Sequence, residues 1–180
     1  PRITERSVIK CKVTRVVTFS ASIASQVECD VEAVPMVPHV GGVFLAFSTF
    51  VMKALAQLPA EHGMAAMQRI NVVVLNPLFM GLFVGTAVLA AVCIFAGFWP
   101  WGTTRSLLLF AAGIAYLLGS FGVTAAFNVP RNERLARLDA ASREAADYWP
   151  VYVREWLLWN HVRTLASLAS AACAGLALTV

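Results

Sequence analysis

The sequence predicts an all-α integral membrane protein, a four-helix bundle flanked by short interfacial helices. Three observations carry this. Charged residues make up 13% of the chain and the mean hydropathy is +0.71, against roughly 25% charged residues in soluble domains, which is too little charge to build a polar shell. No charge occurs between Arg69 and Arg105. Three further uncharged stretches, 34–52, 106–130 and 164–180, each approach the roughly 20 residues that a bilayer crossing takes.

Residues 1–33 alternate charged and β-branched types without a clear period and read as an irregular N-terminal tail. No continuous apolar run follows 1–12, so this is not read as a signal peptide. The four-span domain is expected over 34–180. Its first span, about 38–58, starts beside Pro38 and ends with Lys53 snorkelling to the surface. Residues 59–71 read as a short interfacial helix, because Met64, Met67, Gln68 and Asn71 follow the i, i+3, i+4, i+7 rule and share one face.

The second span is expected over about 72–98, with Asn76-Pro77 near its start and Trp99-Pro100-Trp101-Gly102 at its exit. A very short turn leads to the third, about 106–127, so these two helices are antiparallel neighbours. Asn128-Val129-Pro130 is expected to end the third span, since proline removes a donor and restricts the residue before it. Residues 131–163 hold six basic and five acidic residues at helical spacing, with a break expected at Trp149-Pro150. The last span, about 160–180, is expected to continue upstream as one helix from near Pro150.

Orientation follows from Lys and Arg counts. In the four-span arrangement the two charged connections hold eight basic residues, whereas the tail and the tight turn hold six. This places the connections on the cytoplasmic side of a multi-pass protein, with a bacterial inner membrane as the expected location. The net charge of +4 is small and its basic residues are interspersed with acidic ones, so no nucleic-acid footprint is present. The expected partner is the lipid bilayer, with anionic head groups facing the excess Lys and Arg. Nothing in the sequence sets an oligomeric state.

Cys11, Cys29, Cys93 and Cys173 show no CxxC or finger spacing, and two of them lie in apolar runs, so no disulfide framework is expected. His39, His62 and His161 show no HxxxH-type pairing, so no zinc or di-metal site is expected. A haem between His39 and His161 has no supporting feature. The sequence carries no Ser-His-Asp arrangement, phosphate-cradling loop or dinucleotide fingerprint.

Helices in lipid associate through small residues and polar contacts. Gly81 and Gly85 form a GxxxG on the second span. On the last helix, Trp149, Tyr152, Trp156, Asn160, Arg163, Ser167, Ala171 and Ala174 project as one stripe, opposite Leu158, His161, Leu165, Leu168 and Leu176. The polar and aromatic stripe is expected to face the bundle and the leucine face to meet lipid.

Polar residues inside a membrane are costly and often functional. Gln68, Asn71, Asn76, Asn128, Asn132, Glu155, Trp156, Asn160, His161 and Arg163 all fall near one membrane surface in this topology. The same types also serve as caps, interfacial belts and phosphate anchors. Asn160, Arg163, Trp156 and His161 are the candidate catalytic residues. Gln68, Asn71, Asn128, Asn132 and Trp159 are the candidate substrate-binding ones. His161 is the nearby general-base candidate, although an ideal helix turns it away from the Asn160 stripe.

Several segments taken together resemble a known family. They are Gly42-Val43-Phe44-Leu45-Ala46-Phe47-Ser48-Thr49-Phe50-Val51-Met52, Met67-Gln68-Arg69-Ile70-Asn71, Asn76-Pro77-Leu78-Phe79-Met80, Thr124-Ala125-Ala126-Phe127-Asn128-Val129-Pro130-Arg131-Asn132 and Trp156-Leu157-Leu158-Trp159-Asn160-His161-Val162-Arg163-Thr164. In order and content they resemble the anthrone-oxygenase-like family of small four-span membrane proteins. The resemblance covers 41–180. It implies oxidation of a flat, apolar phenolic or polyketide-like substrate, as fungal members oxidise anthrones to anthraquinones, without a bound metal or flavin; no cofactor is therefore expected. The departure lies before Gly41, where 26–39 carries acidic residues and two prolines. An upstream start-site or reading-frame error is the expected explanation. The rival reading is a non-enzymatic membrane protein, a subunit or small-ligand binder, whose polar cluster holds helices together.

Overall fold

The computed structural model describes residues 36–98 and 101–180, and no strand occurs among them. The irregular tail expected over 1–33 lies outside the described residues. The first rod is α1 (Met36–Ala46), a π-helical segment (Phe47–Val51) and α2 (Met52–Ala56), continuous end to end. Then follow α3 (Ala60–Val73), α4 (Pro77–Gly97) and α5 (Thr104–Tyr116). Two further π segments (Leu117–Gly122 and Thr124–Asn128) carry α5 on into α6 (Val129–Ala136), and α7 (Arg143–Ala177) closes the chain.

Local chemistry explains most boundaries. Asn76 caps α4, its Oδ1 accepting from Phe79 N at 3.0 Å, and Pro77 follows at the first helical position, where a missing N–H costs nothing. That pair separates α3 from α4, so the second long helix begins at Pro77 and the stretch from Val72 belongs to α3 and a turn. Thr103 caps α5 by accepting from Ser106 N at 3.1 Å. Before it, Gly102 takes φ +93° in the tight turn, a conformation that disfavours any Cβ.

Two proline expectations need correction. Pro130 does not end the third rod, which runs from Thr104 to Ala136 without interruption. The π segment just before it widens the helix and displaces the carbonyl that the proline ring would otherwise strike. Likewise α7 begins at Arg143, where Ser142 Oγ accepts from Ala145 N at 3.1 Å, and passes through Pro150 without a break. Pro150 and Ala146 are exposed, so the carbonyl four residues back is free to be solvated.

Val37–Ala56, Pro77–Phe95 and Thr104–Ala136 are long and apolar enough to cross a membrane, and the C-terminal part of α7 lies alongside as a fourth helix. α1 packs on α4 and α7, and α5 packs on α4 and α7, closing a ring. Glycines set the tightest approaches. A Cβ on Gly113 would lie 2.4 Å from the Ala90 carbonyl oxygen, and one on Gly119 would lie 2.5 Å from Ala166 Cβ. By contrast, Gly81 and Gly85 have nothing within 4 Å of such a Cβ. The GxxxG is therefore not a seam within the described bundle; its side of α4 points outward.

Two apolar clusters fill the interior. One gathers Met52, Leu55, Met64, Met67, Leu135, Tyr148, Trp149, Tyr152 and Trp156 where α3 and α6 cover the end of the bundle. The other joins Val40, Phe44, Phe83, Ala87, Ala90 and Tyr116 deeper in. The buried α3 face is the Met64, Met67 side, with Gln68 and Asn71 half-buried beside it. The stripe on α7 is buried from Trp149 through Ser167, and Leu158, His161, Leu165, Leu168 and Leu176 are exposed. Deeper along α7, Ser170 and Ala177 are the buried positions, with Ala171 and Ala174 only half-buried.

Candidate functional site

Between the two apolar clusters lies one charge. Arg163 is 7% exposed, with its guanidinium carbon 4.1 Å from the Phe44 ring centroid and 4.8 Å from that of Trp156. Its Nε donates to Asn160 Oδ1 at 2.8 Å, one turn back on α7, and Nη1 reaches Thr124 Oγ1 at 3.4 Å. A guanidinium has five donors; among the described residues no other acceptor and no carboxylate meets Arg163. Two aromatic faces supply roughly 0.5–2 kcal/mol each. A carboxylate would be the usual compensation for a buried cation, and none of the described carboxylates supplies it.

Asn160 organises this arrangement. Its Nδ2 donates to Phe44 O at 2.8 Å and to Ser48 Oγ at 2.7 Å. A carbonyl can only accept and an arginine Nε–H can only donate, so both neighbours demand the same amide orientation. Ser48 Oγ also lies 3.0 Å from Thr164 Oγ1, which donates to Asn160 O at 2.7 Å. Farther along, Ser120 and Ser167 hydroxyls meet at 3.0 Å and Ser170 donates to Ala112 O at 2.8 Å. All three π segments adjoin this seam, supplying Ser48, Ser120, Thr124 and Asn128. π-helical widenings recur at functional sites in helical proteins.

Two buried polar atoms, on Trp156 and its neighbour Asn128, lack partners among the described residues: Trp156 Nε1 and Asn128 Oδ1. Trp156 is 3% exposed and Asn128 fully enclosed. Asn128 Nδ2 donates to Trp156 O at 3.3 Å, so the two residues are neighbours. Phe47 stands 5.5 Å from the Trp156 ring. Together these groups gather a cation, an N–H and a carbonyl oxygen without partners among the described residues, and aromatic faces, in one buried region.

The other candidates separate from this centre. His161 is exposed on the opposite side of α7. Trp159 is half-buried and stacks on Phe127 at 3.6 Å between ring centroids. Gln68 Nε2 is occupied by Leu135 O and Leu138 O at 2.8 and 2.9 Å, closing the end of α6 against α3. Asn132 Oδ1 accepts from Tyr152 OH at 2.9 Å. Asn71 sits beside the same phenol, and its Nδ2 makes no hydrogen bond of acceptable geometry among the described residues. Burial pushes the Tyr152 phenol above its usual range, keeping it a donor. Asn76 is the α4 cap, and Glu155 pairs with Arg131 at 3.0 Å.

Phe44, Ser48, Thr124 and Thr164 complete the centre and were not among the sequence candidates. All four lie within the segments that carry the family resemblance, but nothing else singles them out: Thr124 and Thr164 are lone hydroxyls in or beside apolar runs, Ser48 adjoins Thr49, and Phe44 is one of eleven phenylalanines.

A family model described as anthrone oxygenase matches residues 78–173. That stretch contains Thr124, Asn128, Trp156, Asn160 and Arg163, and leaves out Phe44 on α1 and Ser48 on the π segment that follows it. No curated protein and no solved structure matches the chain.

Proposed function

Because the chain belongs to the anthrone oxygenase family, we propose that this membrane protein oxidises a flat, apolar phenolic compound of the anthrone type, with Arg163 as the oxyanion-stabilising group. The observation that carries the reading is the buried guanidinium, held between Phe44 and Trp156 with no carboxylate partner among the described residues. In an anthrone the methylene between two aryl rings loses a proton. The electron pair left behind delocalises onto the ring carbonyl oxygen, and that oxyanion is the charge Arg163 would meet. The carbanion then reduces O₂, a C–O bond forms to give a hydroperoxide, and loss of water leaves the new carbonyl. One O₂ is consumed and one of its atoms retained.

Counting the C-terminal half of α7 as a fourth span is supported by its exposed leucine face and by the burial of the polar residues that lower its hydropathy. The charged connections would face the cytoplasm of a bacterial inner membrane. The substrate would enter from lipid, close to where α7 passes from its charged half to its apolar half.

Purified protein in lipid nanodiscs, given anthrone and air, tests the proposal. Anthraquinone should form well above the spontaneous rate, with one O₂ taken up per product. Removal of an oxyanion donor typically lowers kcat by about 10²–10³, so Arg163→Met should fall by that order. No acceleration over empty nanodiscs would remove the enzymatic reading. It would favour the rival, a ligand-binding or subunit role, which is supported by the lack of any carboxylate or imidazole against Arg163 among the described residues.

A further inference from the structure

We infer that the Arg163 site recognises its ligand already ionised, and reads an edge on which an oxyanion lies next to a hydroxyl group. Arg163 and Trp156 Nε1 donate to the oxyanion, and Asn128 Oδ1 accepts from the hydroxyl. This rests on reading the site as one for flat aromatic molecules, and deepens it by specifying the ligand's protonation state and substitution.

The argument starts from unmet hydrogen-bonding capacity. Buried polar groups are almost always partnered, yet Trp156 Nε1 and Asn128 Oδ1 both lack a partner among the described residues. They sit on neighbouring residues joined by the 3.3 Å bond from Asn128 Nδ2 to Trp156 O, and they are opposite in kind. An indole N–H can only donate and an amide oxygen can only accept. A bare oxyanion would satisfy the indole and the guanidinium but would be repelled by the amide oxygen. A neutral phenol would satisfy the amide oxygen but leave the cation uncompensated. A ligand with an ionised oxygen beside a hydroxyl meets all three.

The ionised form follows from what surrounds the charge. The groups against Arg163 are Phe44, Trp156, Asn160 and Thr124, with Ser48, Thr164 and Asn128 next in line and the Tyr152 phenol within electrostatic reach. None is a base at neutral pH. His161, the imidazole nearest in sequence, is exposed on the far side of α7. The ligand's proton is therefore released to water at the membrane surface and not to a side chain of the site, and the fixed positive charge selects the anion that remains.

The test uses the full chain in detergent micelles and a vicinal dihydroxyanthraquinone, an indicator whose visible spectrum changes on ionisation. Bound dye should show the ionised spectrum at a pH where dye in empty micelles is neutral. Its apparent ionisation should move down by about one pH unit or more, as a tenfold preference for the anion requires. The dimethyl ether should bind at least about tenfold more weakly, since it can neither ionise nor donate. Trp156→Phe keeps a ring and drops the N–H; because that N–H has no partner among the described residues, the protein should stay folded while dye affinity falls about tenfold. Asn128→Leu should erase the preference for the vicinal diol over a monohydroxyanthraquinone. Bound dye with a neutral spectrum, an ether that binds as tightly as the diol, or no dye binding overturns the inference. Anthrone turnover without the spectral shift would leave the oxygenase reading standing and sink this one. The shift without turnover would do the reverse.

Discussion

Asn160 Oδ1 accepts the Nε–H of Arg163 at 2.8 Å, while the other end of the same amide is anchored across the bundle to Phe44 O and Ser48 Oγ on the first rod. The guanidinium is thus positioned by α1 through α7. This relationship makes Asn160 the residue whose loss disturbs both packing and chemistry.

Asn160→Ala should cost about 1–3 kcal/mol, because it strands Arg163 Nε in a low-dielectric interior and removes the bonds to Phe44 O and Ser48 Oγ. His161→Ala, next in sequence and exposed, should cost no more than about 0.5 kcal/mol. Unfolding in mixed micelles measures both. Asn160→Ala, Arg163→Ala and Trp156→Ala should each impair turnover or dye binding more than His161→Ala. A variant set in which only His161→Ala is inactive would restore the imidazole as general base.

Glycine substitutions should discriminate the two sides of the bundle. Gly113→Val forces a side chain into the Ala90 carbonyl and Ile94 and should destabilise by about 1–3 kcal/mol. Gly81→Val has open space and should change stability by less than about 0.5 kcal/mol. Equal losses at both positions would mean that the Gly81 face is covered in the membrane, as a helix partner would cover it.

Labelling should report the topology. With the charged connections cytoplasmic, Asp139→Cys should react from the cytoplasmic side and Val180→Cys from the opposite side. Reaction of both from one side would remove the fourth crossing and leave α7 lying within or along the surface.

A chain beginning at Val34 should insert and purify as the full chain does, since residues 1–33 carry no apolar period. Loss of folded protein on truncation would show that the segment packs on the bundle.

Much of the architecture was legible because lipid imposes a simple rule: backbone must be satisfied within helices and apolar length must match the bilayer. Uncharged runs therefore marked α4 and α5 directly, and the 3.6-residue period marked which side of α7 is buried. The errors fell where local rules meet tertiary compensation. Pro130 and Pro150 both read as terminators, yet a π widening accommodates the first and exposure at the surface the second. Gly81 and Gly85 formed the recognisable motif, while the glycines that allow close contact, Gly113 and Gly119, carried no motif at all.

The sequence by itself determined that this chain is a helical membrane protein of its family, and that Trp156, Asn160 and Arg163 share a helix face. These properties follow from composition, periodicity and segment order, which are one-dimensional. Only the tertiary structure decided that Arg163 is sandwiched by Phe44 and Trp156, that Ser48 and Thr124 hold the amide and the guanidinium, and that Trp156 Nε1 and Asn128 Oδ1 find no partner among the described residues. The reason is physical. Burial of a side chain can be read from one helix, but hydrogen-bond satisfaction depends on which atoms of other helices come within about 3 Å, and residues 44, 48, 124 and 163 meet only when the ring of helices closes.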